Sequence, residues 1–318
     1  MPLDHYVSQV HLKNFYSPVL GERMYAMRKG DLKSFTPDSE SVCRINDGNT
    51  NAYLREGRFI EKFLKKIEPR YNTALANLIE DKIDDETIFT IAGFVAYVIG
   101  CSPAGMRIFS VMLRGIVEAQ AVLAEKRGML PQPPKELGGA PLADLLRDRD
   151  IEIVVDPKYP QALGITTILR QVAAFGNFKW DILLNRFDDS PFFTSDFPVA
   201  TEPTKDSWVN NRIVPLAPRL AVRIRPDRAI DRECADFSFS NFDYRRREIS
   251  RNELVEINRL IVRCAEDVVF YRDNTDWVQR FIAKNRHYRV ESIERKVSTD
   301  NGFRLFWTER IVAKRQDS

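Results

Sequence analysis

The chain has 318 residues, 44% of them hydrophobic and 29% charged, with a net charge of +3. That length can bury a sizeable core, and that composition excludes disorder of the whole chain. The near balance of 48 Lys and Arg against 45 Asp and Glu excludes a strongly basic nucleic-acid binder by bulk charge, while leaving room for a local patch.

The opening MPLDHYVSQV has no basic start and no continuous apolar run, so no signal peptide is expected. Residues 5–15, HYVSQVHLKNF, carry apolar groups at Tyr6, Val10, Leu12 and Phe15, a spacing that fits a short helix or an extended segment. Residues 28–52 are polar and contain INDGNTN (45–51), strong turn chemistry, which predicts a loop with one short strand. From 52 to 81 the period is helical, with Phe59, Phe63, Ile67, Tyr71, Leu75 and Leu78, and Pro69 should kink or end the helix. Asp84 or Asp85 then caps a helix over 86–101. Its uncharged run from Ile88 to Cys101 falls short of the ~20 residues a bilayer requires, which predicts a buried helix and no membrane anchor. Pro103 closes it, and a further helix is expected over 104–127.

MLPQPPKELGGAP (129–141) reads as an exposed connector, a subdivision within one domain spanning 1–318. IEIVV (151–155) fits a short strand or a helix end, and 160–185 reads as helical through Trp180, Ile182, Leu183 and Leu184. After Asp188 the pattern changes. PFFTSDFPV (191–199), RIVPLAP (212–218) and RLAVRIRP (219–226) are strand signals. Ser250 and Glu253 form a capping-box pattern ahead of a helix, and VVFY (268–271) reads as a buried strand. HYRVESIERKV (287–297) and FRLFWTERIVAK (303–314) predict a hairpin around TDNG (299–302). The fold class is therefore α+β, with a helix-rich first half and mixed strands and helices in the second.

The four cysteines, Cys43, Cys101, Cys234 and Cys264, show no C-x-x-C spacing, which argues against structural zinc and for a reducing, cytoplasmic setting. Glycine-rich phosphate loops, nucleophile elbows and H-E-x-x-H are absent, and three histidines (His5, His11, His287) are too few for a multi-histidine centre.

Three polar features carry chemistry. In the opening segment, His5, Gln9 and Lys13 would share a face if helical, offering a proton carrier, a ligand-orienting amide and an anion holder beside Asn14. Capping or hydrogen bonding to a neighbouring element is the structural alternative. Glu61 and Glu68 lie two helical turns apart, a spacing that suits a divalent cation (Mg or Mn), or ion pairs with Lys65 on a solvated face. Thr194, Ser195 and Asp196 follow a buried Phe192–Phe193 pair, where either an active-site rim or a self-bonded turn would fit.

Taken in order, these segments resemble the bacterial family catalogued as domain of unknown function 4238. HYVSQVHLKNF is similar to its H-Y-V-P-Q-x-x-L-R-x-F opening, Glu61 and Glu68 to its helical glutamate pair, and Phe193 to Val199 to its F-I-T-S-D-N-P-V segment. Pro215 to Pro218 and the helix holding Asn258 and Ala265 before VVFY continue the order. Ser8 and Phe197 depart from the pattern, as does Cys101-Ser102-Pro103, where the family has an arginine-proline step; Arg107 is the nearby arginine that could stand in. The resemblance implies no reaction, but it links His5, Gln9, Glu61, Glu68 and Asp196 as one set.

The resulting expectation is a hydrolase of phosphodiester or related anionic bonds, such as a metal-assisted nuclease. His5, Gln9, Ser195 and Asp196 would be catalytic, Lys13, Asn14, Arg107 and Thr194 would bind substrate, and Glu61, Glu68 and Asp196 would hold the metal. His11 is expected to tolerate substitution. The alternative is a non-enzymatic interaction protein of a bacterial stress or phage-defence assembly, with a protein partner or a nucleic acid. The nucleic acid would be held through residues 245–296, where 13 Lys and Arg face 9 Asp and Glu among interleaved aromatics.

Overall fold

A computed structural model of the chain describes residues 2–131, 138–230, 235–299 and 302–314. Cys234, residues 132–137 of the proline-rich connector and the TDNG turn residues 300–301 lie outside the described residues. The structure is α+β.

The opening segment resolves its ambiguity by being both things in succession. Strand β1 (Leu3–His5) gives way at Ser8 to the one-turn helix α1 (Gln9–Lys13). The polar stretch that follows holds β2 (Tyr25–Arg28), β3 (Ser34–Phe35) and β4 (Arg44–Asn46), more strand than the turn chemistry suggested. Helix α2 (Phe59–Ile67) stops where Pro69 removes a backbone donor, passes through a 3-10 turn (Glu68–Arg70), and resumes as α3 (Tyr71–Glu80). Asp84 caps α4 (Asp85–Cys101) by accepting from the Thr87 N–H at 2.8 Å.

α4 is buried along almost its whole length and packs against α2, α3, α7 (Lys158–Thr166) and α8 (Ile168–Gly176). Ser102 and Pro103 then turn the chain by 61° into α5 (Pro103–Lys126). That corner is tight: a Cβ at Gly105 would lie 1.9 Å from the Ile99 carbonyl oxygen, so no larger residue fits. Among the described residues no single helix is long and apolar enough to cross a membrane.

Beyond the connector come α6 (Leu142–Asp148) and the α7–α8 pair. IEIVV is neither strand nor helix. The helix expected over 160–185 ends at Gly176, because the Asn177 side chain bonds back to the Ala173 carbonyl at 2.9 Å and closes it. Trp180, Ile182 and Leu183 instead belong to β5 (Lys179–Leu184), an interior strand buried on both faces, whose apolar run could not be told from a helix by period alone.

Strands β6 (Thr194–Ser195), β7 (Ala200–Pro203), β8 (Asn210–Ala217) and β9 (Leu220–Arg225) match the proline-punctuated stretch. Pro215 sits at a register shift between β8 and β9, where its missing N–H is tolerated. The arginine run 245–247 lies in β10 (Asp243–Glu248), parallel to β5. α9 (Arg251–Cys264) is capped by Ser250, β11 (Val268–Tyr271) is VVFY, and α10 (Asp276–Asn285) has no counterpart in the sequence expectations. The chain then forms the hairpin β12 (Tyr288–Thr299) and β13 (Gly302–Ala313).

The strands assemble as β10-β5-β9-β8-β7, β3-β2-β11-β6, and the pairs β1-β4 and β12-β13. One hydrophobic core joins Ile91 and Tyr97 of α4 to Trp180, Val222 and Ile261 on the far side of the connector.

Candidate functional site

Strand β1 pairs antiparallel with β4, setting His5 opposite Arg44 and Asp4 opposite Ile45. The buried Tyr97 hydroxyl of α4 donates to the His5 carbonyl at 2.6 Å, which fixes this strand to the core. The chain then turns at Ser8, whose hydroxyl donates to Glu68 Oε1 at 2.5 Å and so ties the start of α1 to the end of α2. These ties leave an open cavity of about 350 Å³ between the segments, lined by Asp4, His5, Gln9, Glu61, Lys65 and Glu68 with Asn49 and three aliphatic residues. His5 and Gln9 of the opening segment and the Glu61–Glu68 pair, two polar features apart in sequence, share this one space.

The His5 ring is oriented from behind. Its Nε2 lies 3.1 Å from the Ser39 carbonyl and 3.3 Å from the Glu40 carbonyl. Carbonyl oxygens only accept, so Nε2 carries the hydrogen and Nδ1 is the basic nitrogen of the neutral ring. Ser39 also donates to Gln9 Oε1 at 3.4 Å, and Tyr16 donates to Ser39 Oγ at 2.8 Å, so one buried serine braces both residues.

The carboxylates are unequal. Arg58 sits 2.6 Å from Glu61 and 3.6 Å from Asp4, and its hydrogen bond holds Glu61 below the usual carboxylate range. Lys65 reaches Glu61 only at 4.0 Å. Glu68 has the Ser8 hydroxyl but no cationic partner among the described residues.

The other residues of the expected set lie elsewhere. Lys13 ends α1 with its side chain exposed, so it shares no face with His5, which is in the strand before. Asn14 caps α1 and donates to the Val10 carbonyl and Asn72. Arg107 is consumed by Glu266, Glu291 and the Val290 carbonyl. Asp196 does not line the cavity. Its Oδ1 accepts from the Glu266 N–H at 2.9 Å, and its Oδ2 from the N–H groups of Asp267 and Val268 at 2.7 and 3.1 Å. Burial pushes this carboxyl up to about 7 against the opposite pull of those three donors. Ser195 is fully buried and accepts from the Phe197 N–H.

Thr194 leads to the histidine that was expected to tolerate substitution. His11 is fully buried, with Nε2 2.8 Å from Thr194 Oγ1, Nδ1 2.8 Å from the Tyr71 hydroxyl, and its ring stacked on Phe94. Burial pushes it down to about 3, so it is neutral and structural. Nothing in the local sequence marks this, because both partners are distant in the chain. Arg58 was missed as well, although its i,i+3 spacing to Glu61 is a local signal that could have marked it.

Glu61 and Glu68 both line the cavity, Glu61 bound to Arg58 and Glu68 to the Ser8 hydroxyl. Among the described residues no three His, Cys, Asp or Glu side chains converge for a closed metal site.

Residues 4–275 match the family model DUF4238, described as a protein of unknown function. No curated protein and no solved structure matches. With most of its length inside that family model, the chain belongs to the DUF4238 family.

Proposed function

We propose that the cavity formed by His5, Gln9, Glu61 and Glu68 is a hydrolytic acid–base site acting on phosphodiesters or related anionic bonds. The observation that supports this reading is the meeting of an oriented imidazole, an amide and two unequal carboxylates in one open space. His5 Nδ1 takes up a proton from the attacking water, which Glu68 orients; as the new P–O bond forms the bond to the leaving oxygen breaks, the proton passes from His5 to that oxygen, and Gln9 positions the substrate. An anionic bond entering beside Asp4, Glu61 and Glu68 meets like charge that Lys65 and Arg58 offset only in part, so the reading includes a divalent cation. Glu61 and Glu68 would hold it, and it would supply charge neutralisation and polarisation of the scissile bond.

The test is calorimetric titration with Mg²⁺ and with Mn²⁺, alongside hydrolysis of bis(p-nitrophenyl) phosphate. Saturable binding and turnover, both lost in Glu68→Gln, are expected. Absence of binding and turnover in the wild type, or turnover unchanged in both His5→Ala and Glu68→Gln, overturns the proposal. A second reading, a site that holds a cationic ligand without chemistry, is favoured by the acidic excess of the lining. Binding of a polyamine such as spermidine with no turnover would select it. A nucleic-acid face over 245–296 is disfavoured, because Arg245, Arg247 and Arg251 are paired with Asp181, Glu253 and Asp189.

A further inference from the structure

A larger cavity, about 580 Å³, opens between α5, β8 and the C-terminal hairpin, and shares no residue with the His5 site. Its volume lies in the range of small-molecule sites. Phe109 and Met112 of α5, Phe175, Trp208 and Trp307 give it aromatic and thioether walls. Among the described residues the Trp307 and Phe109 rings make no ring–ring contact, so their faces are not taken up by other aromatics.

Arg212 and Glu309 also line this cavity. Arg212 bonds Glu309 end-on, from Nη1 to Oε2 at 2.5 Å and from Nη2 to Oε1 at 2.7 Å, and Nη1 also donates to Thr201 Oγ1 at 2.6 Å. A guanidinium has five N–H groups. Three are accounted for. The two that remain, Nε–H and the second Nη2–H, form the side-on edge of the guanidinium, a parallel fork without a protein acceptor among the described residues. The Arg212 side chain is 15% exposed and lines the cavity, and the Nε of the fork is not sealed from solvent, so the fork is open to an incoming acceptor. Glu309 already neutralises the charge, which removes the drive to take up an anion. What suits the fork is a neutral pair of adjacent acceptors on a planar ring that stacks on the aromatic walls.

The geometry points to a nucleobase site of guanine type. The O6 and N7 acceptors of guanine match a bidentate arginine fork, and the ring matches walls of indole and phenyl groups. Trp208, at the rim and 42% exposed, carries Arg295 over its ring and Phe306 beside it, so it would close the mouth around the base rather than stack on it. The base could be that of a free nucleoside or one presented by a single strand, since the recognising chemistry is the same.

Calorimetry on the full chain separates these outcomes. Guanosine and inosine, which share O6 and N7, should bind alike. Adenosine turns an amino donor toward the fork, and 7-deazaguanosine lacks N7, so each should bind at least about tenfold more weakly. Trp307→Leu should abolish binding. Should that variant fold poorly, Trp208→Ala, which removes an exposed rim residue, should still weaken guanosine several-fold. Binding of a single-stranded oligonucleotide containing one guanine, with guanosine silent, keeps the site and assigns the base to a strand. No binding of either probe at millimolar concentration, or equal binding of guanosine and adenosine, overturns the proposal. Failure here leaves the His5 site untouched, and failure there leaves this one.

Discussion

The His5 cavity and the Thr194–Asp196 turn are both polar, both reach the N-terminal segment, and differ in what their side chains are left to do. Around Asp196 every hydrogen-bonding group is committed: three backbone donors on one carboxylate, the Ser195 hydroxyl on the Phe197 N–H, Thr194 on His11. Around His5 the commitments hold the groups from behind, leaving Nδ1 without a protein partner among the described residues and His5 and Glu68 on the cavity wall. A buried polar group with a full set of partners is scaffold, because its removal strands those partners in a low dielectric. A polar group braced on one side and open on the other is available for chemistry.

The strongest way to break this comparison is at Asp196. Asp196→Ala strands the N–H groups of residues 266–268, and a loss of about 3 kcal/mol or more is expected in urea unfolding. If the variant kept its stability and lost ligand binding at the His5 cavity instead, scaffold and site would have been assigned the wrong way round.

His11 comes next. His11→Phe keeps a ring against Phe94 but strands the Tyr71 and Thr194 hydroxyls, an expected cost of about 2 kcal/mol at pH 8. The pH dependence sharpens it. The folded-state pKa of His11 is depressed to about 3, so its contribution is fully present above about pH 6.5 and declines as the pH falls below that value. The penalty of His11→Phe should therefore shrink between pH 8 and pH 5. Asp196 runs the other way: its carboxyl is raised to about 7, so its contribution is present below about pH 4 and is lost as the pH rises toward 7. Between pH 4 and 6.5 the two slopes oppose each other, and the wild-type profile is expected to be flatter than that of either variant.

Period and punctuation made the helical half legible. The breaks at Pro69 and Ser102–Pro103 and the cap at Asp84 follow from residues within a turn of each feature. β5 was misread because a strand buried on both faces has no alternation to show. The site was half legible for a related reason. Glu61 and Glu68 share a face by helical spacing, a local property, and His5 and Gln9 flank one turn. Asp196 carries the same residue chemistry, but whether a carboxylate meets substrate or three backbone N–H groups depends on where β11 lies, and no local pattern encodes that. His11 was hidden similarly, since Tyr71 and Thr194 reach it from 60 and 183 residues away.

The smallest effect on stability, and the finest test of the comparison, is expected at Glu68. Its carboxylate is partly exposed, and among the described residues its one protein donor is the Ser8 hydroxyl. Glu68→Gln retains a carbonyl oxygen for that hydroxyl, and no cation is left unpaired by the change. The melting temperature should therefore stay within about 2 °C of wild type in a thermal scan. Ser8→Ala is the complementary probe, since it removes the donor and leaves the carboxylate. It should lower the melting temperature slightly more, because the tie between α1 and α2 is lost, while leaving cation binding in place. An open site requires this order, with the carboxylate mattering for the ligand and the hydroxyl for the fold. If Glu68→Gln proved as destabilising as Asp196→Ala, the Glu68 side chain would be scaffold as well, and the His5 cavity would lose the one carboxylate that has no cationic partner.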